Sequence, residues 1–397
     1  MKTKLLSLLL VLISYLALSQ TTAIPDAIFE QELVDQGKDT NGMTGDILNT
    51  DAQAVTSLNV EGLGITDLTG IEAFTSLTYL VCSDNSLTTL NVSSNTALQI
   101  LLCSSNSLSS LDVTLNTNLL SLSCDNNQIS SLNLNQNLLL GSLGCSNNPL
   151  TGLDVTMNTE LLTLVCSNTG LNSLNLNQNI LLQELYCSVN NLTSLDLSQN
   201  TALQQLNCWH NNLTSLNLGS NILLWDLDCS DNQITALDLS LNPALFIFKC
   251  NSNLLTNLDL RNGTNSSVPN NNFIFVGNPN LTCINVDNAT YSTNTWTSFL
   301  DPQMFFSEDC SLGFDEFESS NFKIHPIPAR DYISIDSNLT KLENIKLYNL
   351  NGELISSNNY PNTNKSHKID VSSFAKGMYI LQVQTDKGLI NKKVIIN

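Results

Sequence analysis

Basic side chains are scarce in this 397-residue sequence, which carries 15 Lys and Arg against 35 Asp and Glu. Between Gln20 and Asn321 only Lys38, Lys249 and Arg261 face 29 acidic residues, which leaves that stretch near −26. Such a surface argues against nucleic acid, because binding phosphates takes a basic face. From Phe322 onward ten basic residues outnumber six acidic ones, so the chain reads as at least two domains of opposite charge. Histidine is as thin: His210, His325 and His367 are scattered through the chain. No G-x-S-x-G, H-E-x-x-H or phosphate-binding loop is present, so the sequence predicts neither an enzyme nor a cofactor.

Long apolar runs are missing too, except at the start. Lys2 and Lys4 precede Leu5–Leu18, which ends in Ala17-Leu18-Ser19 before Gln20. A basic start, a short greasy middle and small residues at the end predict a signal peptide over residues 1–19. The run is too short for a comfortable membrane span and no later one is longer, which predicts a secreted, soluble protein that is not transmembrane.

What the sequence does have is a period. Cys82, Cys103, Cys124, Cys145, Cys166, Cys187, Cys208, Cys229 and Cys250 are each 21 residues apart. A fixed period of this size marks a solenoid. One unit reads Leu98-x-x-Leu101-x-Cys103-x-x-Asn106-x-Leu108-x-x-Leu111-x-Val113-x-x-Asn116, and Val55–Ser76 fits a longer version as the first coil. In Leu-x-Cys and Leu-x-Val the outer residues share one face of an extended segment, so each coil is expected to hold two short strands with apolar side chains inward. One coil cannot bury them alone, but stacked coils can.

Two columns of asparagine follow the two predicted strands. Asn106 typifies the first and Asn116 the second, and a primary amide can bridge backbone groups of adjacent turns. The first column breaks once, at Thr169, where a local irregularity is expected. An outward column alternates between Asn91, Asp112, Asn133, Asp154 and onward to Asp259; solubility is its simplest account and calcium bridging the sharper one.

The pattern resembles leucine-rich repeats, with cysteine in the third leucine position. It is similar to the nested 21-residue class of Bacteroidota surface proteins, over Val55 to about Leu260. The nine periodic cysteines invite a metal or redox reading, but C-x-x-C spacings are missing, and parallel stacked side chains disfavour a disulfide. Buried, reduced thiols acting as small hydrophobes are expected, and no metal. Cys283 and Cys310 break the period beside the end of the solenoid, where an exposed core must be covered. The stretch resembles the C-terminal cap of the same repeat proteins, and a Cys283–Cys310 disulfide is expected. At the other end Pro25, Ile28, Phe29, Leu33 and Gly37 predict a short capping helix within residues 20–54. Asp39-Thr40-Asn41-Gly42 hints at a calcium loop, but Gly37 and Leu48 occupy its first and twelfth ligand positions, so a solvated turn is expected.

With that cap the solenoid runs over 55–310, and a linker is expected over 311–321. Beyond it, over 322–397, short alternating runs such as Tyr332-Ile333-Ser334-Ile335 predict a small β-sandwich. Ile324-His325-Pro326-Ile327-Pro328-Ala329-Arg330-Asp331, Lys376-Gly377-Met378-Tyr379 and Lys392-Lys393 resemble type IX secretion sorting domains. Ile327 departs from the usual asparagine between the prolines. The resemblance implies a role for Pro326, Pro328, Ala329, Arg330, Asp331, Gly377, Tyr379, Lys392 and Lys393 in the sorting motif, with the secretion machinery as a partner. It also implies outer-membrane translocation, removal of the domain, and release or attachment at the cell surface.

The fold class expected is therefore mainly β: a leucine-rich-repeat solenoid of about ten coils, capped at both ends, followed by a small β-sandwich. Outward positions in three late coils stand out, with Glu184, Tyr186, Asn207, Trp209, His210, Asp226, Asp228 and Asp231. Aromatic rings beside carboxylates and amides suit a sugar or a basic peptide. Recognition or adhesion through an extracellular protein or glycan is one function; a structural spacer of the cell envelope, without a dedicated ligand, is the other.

Overall fold

A computed structural model describes residues 20–269, 272–310, 322–337, 342–349, 352–363, 367–385 and 388–397. The predicted signal peptide and linker lie outside the described residues. The chain divides into two compact units between Glu308 and Asp309.

The first unit is a β-solenoid of about twelve turns. Its spine is an 11-stranded parallel sheet whose short strands, three residues each except the two-residue last, follow in chain order from Ser57–Asn59 to Asp226–Asp228, then Ile247–Lys249 and Phe273–Ile274. The register is in step with the repeat, so Leu101, Leu122 and Leu143 stack in one inward column. All nine periodic cysteines are free and buried in the same core. Burial alone lifts the Cys82 thiol to about 12, and burial is the main cause that lifts Cys124 and Cys187 to about 12. Such thiols stay protonated and act as packing groups.

The second predicted strand needs a correction. Leu111 and Val113 do point inward and are buried. Yet this side forms a parallel sheet only at the C-terminal end, through Ala236–Asp238, Asn257–Asp259, Cys283–Asn285 and Phe305–Ser307. In earlier coils the segment packs through its side chains, without a strand ladder.

The asparagine columns stitch the coils differently. Asn106 Nδ2 donates to Cys82 O of the preceding coil (3.0 Å) and to Cys103 O of its own (3.2 Å), while Leu87 N donates to its Oδ1 (3.0 Å). Asn116 Nδ2 donates to two carbonyls of the preceding coil, Val92 O (2.9 Å) and Asn95 O (2.8 Å). Its Oδ1 is buried without a protein partner, and so is that of every member of its column from Asn95 to Asn242. The first column therefore works as donor and acceptor, the second as donor only.

Just before each first-column position the backbone turns left-handed. Asp84, Ser105, Asn126, Asn147, Asn168, Val189, His210, Asp231 and Ser252 all have φ between 54° and 56°. Left-handed backbone costs a non-glycine residue roughly 1–2 kcal/mol. The coil-to-coil bonds made on either side, such as Cys103 N to Ser123 O (2.8 Å), hold the turn in place.

Both ends are covered. The helix Ala27–Asp35 starts at Asp26, whose Oδ1 accepts from Ile28 N and Phe29 N. It buries Phe29 and Leu33 and ends before Gly37, at φ 66°. At the far end Trp296 is fully buried, with Phe273 and Phe306 against it at centroid distances of 4.8 and 5.6 Å. Its indole Nε1 donates to Val268 O (3.1 Å). The Cys283–Cys310 disulfide expected there is formed.

The second unit is antiparallel. Phe322–His325, Tyr332–Ser337 and His367–Asp370 form one sheet; Leu354–Thr363, Leu342–Asn349, Gly377–Thr385 and Gly388–Ile396 form the other. Side chains of both, among them Ile333, Ile335, Leu347, Leu381 and Val394, make one core.

Candidate functional site

Strands 4.8 Å apart bring outward side chains of successive coils into contact. In the coils that start at Leu182, Leu203 and Leu224, the register sets Gln205 between Glu184 and Asp226, and Asn207 between Tyr186 and Asp228. Tyr186 Oη donates to Gln205 Oε1 (2.9 Å), and Gln205 Nε2 donates to Glu184 Oε1 (3.3 Å). Burial, then Glu184 and Asp226, raises the Tyr186 phenol above its ordinary value, so it stays a neutral donor.

Trp209 follows the middle strand, its backbone N donating to Asn207 Oδ1 (3.2 Å). It is 41% exposed. Its ring centroid lies 5.3 Å from that of His210, and His210 Nδ1 pairs with Asp231 Oδ2 in the next coil. Asp228 Oδ2 lies 3.5 Å from Lys249 Nζ. Burial lifts the Asp226 carboxyl above its ordinary range; Lys249 offsets part of that lift and Asp228 adds to it.

All eight candidate residues thus fall in three adjacent coils, on the sheet face or on the turn that follows its strands. Gln205 and Lys249 were missed. Their signal was in the sequence, because they occupy the outward positions already held by Glu184 and Tyr186. A hollow of about 490 Å³ on the same sheet face lies in earlier coils, around Ser121, Ser142 and Gly144. Its one charged side chain, Asp125, already accepts from Ser123 Oγ (2.8 Å) and Ser146 N (2.7 Å).

The alternating Asn/Asp column has a structural job. Asn91 Oδ1 accepts from Ser93 N (3.1 Å), Asp112 Oδ1 from Thr114 N (2.9 Å), and the pattern repeats to Asp259 and Arg261 N (3.0 Å). Each caps its own turn, a task either residue performs, which explains why they interchange. In the N-terminal cap Asp39 Oδ1 accepts from Asn41 N (3.1 Å), and Glu30 Oε1 accepts from Thr44 N and Gly45 N. Asp39 is itself buried, and among the described residues its Oδ2 has no hydrogen-bond partner.

In the second unit Ala329 is fully buried and bonded to the last strand, its N donating to Ile395 O (2.7 Å) and its O accepting from Asn397 N (2.8 Å). Asp331 O accepts from Val371 N (2.9 Å), and Tyr379 Oη donates to Ala375 O (2.7 Å). Pro326, Pro328, Arg330 and Lys392 are exposed, Lys393 half-buried, and Gly377 opens its strand at φ 155°. The motif thus joins the opening of this unit to its final strand. Residues 323–397 match the family described as the secretion system C-terminal sorting domain.

This unit is a type IX sorting domain. The sorting domain marks the chain for export, to the cell surface or beyond it. Among the described residues no helix is long and apolar enough to cross a membrane. No curated protein matches the sequence. Among solved structures the chain is similar to the functional domain of InlJ from Listeria monocytogenes, which includes a cysteine ladder: 25% identity over 95% of this chain and 99% of that one, TM-score 0.61. It is also similar to an internalin, InlF, from Listeria monocytogenes, at 20% identity over 72% of this chain and 96% of that one, TM-score 0.52. The leucine-rich-repeat protein LIC12759 from Leptospira interrogans matches at 22% identity over 65% and 67%, TM-score 0.50. These likenesses establish the leucine-rich-repeat fold ahead of the sorting domain.

Proposed function

We propose that this exported chain is a non-enzymatic recognition protein whose ligand, an extracellular protein or a glycan, lies across the sheet face at Glu184, Tyr186, Asn207, Trp209, His210, Asp226, Asp228 and Asp231. The observation that carries this reading is Trp209: an exposed indole against an imidazole, flanked by carboxylates and by the Tyr186–Gln205–Glu184 network. Exposed aromatic rings on a preorganised polar surface are the composition of interface hot spots. A leucine-rich-repeat fold of the internalin kind, on an export signal, fits interaction better than catalysis. The acidic surroundings favour a basic protein surface over a neutral sugar, because the solenoid has few cations of its own. The sorting domain would engage the type IX secretion machinery through Pro326–Asp331, Gly377, Tyr379, Lys392 and Lys393. Arrays of extracellular proteins and glycans, probed with the wild type and with Trp209→Ala and Tyr186→Ala, test the reading. Binding that weakens about tenfold or more in the variants supports it; binding that both leave unchanged removes this face as the site.

A further inference from the structure

The turn that carries each coil from its second inward segment back to the sheet forms one edge of the solenoid. That edge is apolar. Leu138 and Leu139, Ile180 and Leu181, and Ile222 and Leu223 are exposed pairs recurring every 42 residues. The coils between them place exposed apolar residues at flanking positions of the same turn, in Leu115 and Leu120, Met157 and Leu162, and Leu241 and Phe246. One coil interrupts the series, with Gln199 and Gln204 at the corresponding places. These twelve side chains are 40–60% exposed. Summed over these turns they expose on the order of 1,000 Å² of apolar surface, against roughly 300–600 Å² for the largest single patch of an ordinary monomer.

Charge avoids the same edge. Across the eight turns from Ser94–Gln99 to Leu241–Phe246 the single charged residue is Glu160, in a stretch of chain whose net charge is near −26. A basic partner would find its counter-charges on the sheet face, not here. An anionic membrane surface would need flanking cations, and Lys38, Lys249 and Arg261 are all the solenoid has.

We propose that this edge is a self-association surface, occupied by a second copy of the same chain. Two strongly acidic solenoids can approach only where neither carries charge, and this edge meets that condition. A copy turned about a two-fold axis also presents the same coil spacing, about 4.8 Å, and the same two-coil period, so the ridges stay in step along their length. The area available on each copy is of the same order as the ~800 Å² a side of a standard interface. This surface is separate from the one proposed for ligand recognition and stands without it.

Sedimentation equilibrium of the full chain over micromolar concentrations tests the proposal. The wild type is expected to sediment as a dimer, tightened by added salt because screening relieves repulsion between the acidic bodies. The triple variant Leu139→Glu, Leu181→Glu, Leu223→Glu should shift the dissociation constant upward by about tenfold or more while its circular dichroism spectrum stays that of the folded wild type. The milder pair Leu120→Gln and Leu162→Gln should shift it in the same direction. A wild type that stays monomeric, or that floats with anionic vesicles as a monomer, overturns the proposal. So does a folded triple variant that dimerises as tightly as the wild type.

Discussion

Thr169 Oγ1 lies 2.9 Å from Asn190 Oδ1 in the next coil and 2.9 Å from Cys166 O in its own. A hydroxyl has one proton and can serve only one of them at a time. The amide that stands at this place in neighbouring coils serves three carbonyls and accepts a backbone N–H as well. Around Thr169 that acceptor is missing, and Leu150 N turns back to Asn148 O (2.9 Å). Leu153, whose counterparts Leu132 and Leu174 are buried, becomes half-buried.

Restoring the amide should therefore tighten the solenoid. Thr169→Asn is expected to raise stability by about 1 kcal/mol, the net worth of a typical hydrogen bond. Chemical denaturation of the two proteins measures it. An unchanged or lower midpoint would show that Pro149, next to Leu150, already fixes the local path against the bond.

Val189 holds the left-handed turn position that asparagine, aspartate, serine and histidine fill elsewhere, at φ 54°. A β-branched side chain is the least suited to that backbone. Val189→Asn should stabilise the protein by roughly 1 kcal/mol, while putting valine into the same position of another coil, as in Ser105→Val, should cost about as much. Equal melting curves for all three proteins would contradict the strain.

Asp26 ties the N-terminal helix to the first coil. Its Oδ1 caps the helix, and its Oδ2 accepts from Thr66 N (2.9 Å) and Asp67 N (3.2 Å). Burial pushes this carboxyl up, but hydrogen bonds from Thr66, Phe29 and Asp67 outweigh it and hold it below the ordinary carboxylate range. The folded state thus prefers the ionised form. Its contribution is full above the unfolded value near 4 and is lost as pH falls through the lower folded value. Asp26→Ala should cost about 2 kcal/mol at neutral pH and less in acid. A cost that does not shrink with pH would mean that the cap works through shape alone.

The periodic thiols should be silent in the folded protein. A thiol-specific colorimetric reagent is expected to titrate none of the nine ladder cysteines before unfolding, all nine after it, and eleven once Cys283–Cys310 is reduced. Replacing one, as in Cys166→Ser, puts a hydroxyl into an apolar core and should cost on the order of 1–3 kcal/mol. A native thiol that reacts promptly would point to a coil that opens.

The 21-residue period was enough to read the solenoid, because leucine and cysteine spaced two apart can bury their side chains only if every coil repeats the same path. The capping helix was legible as well, since Pro25, Phe29, Leu33 and Gly37 fit one short helix. The second sheet was not. Leu111-x-Val113 and Leu258-x-Leu260 alternate alike, yet only the later coil pairs its backbone there. The left-handed column was hidden because nine positions are filled by five residue types without a glycine among them. On the sheet face Gln205 and Lys249 escaped notice because a bridging amide and a counter-ion matter only once the register sets them beside Tyr186 and Asp228.

The central claim is that recognition happens on the sheet face around Trp209. The measurement that bears on it most directly is site-specific photo-crosslinking of the exported protein to array-identified ligands, with the probe at position 163, beside Glu184 on the sheet face, or at position 133 in the Asn/Asp column. Crosslinks are expected from position 163, with Trp209 left in place, and none from position 133. Crosslinks from position 133 alone would contradict it.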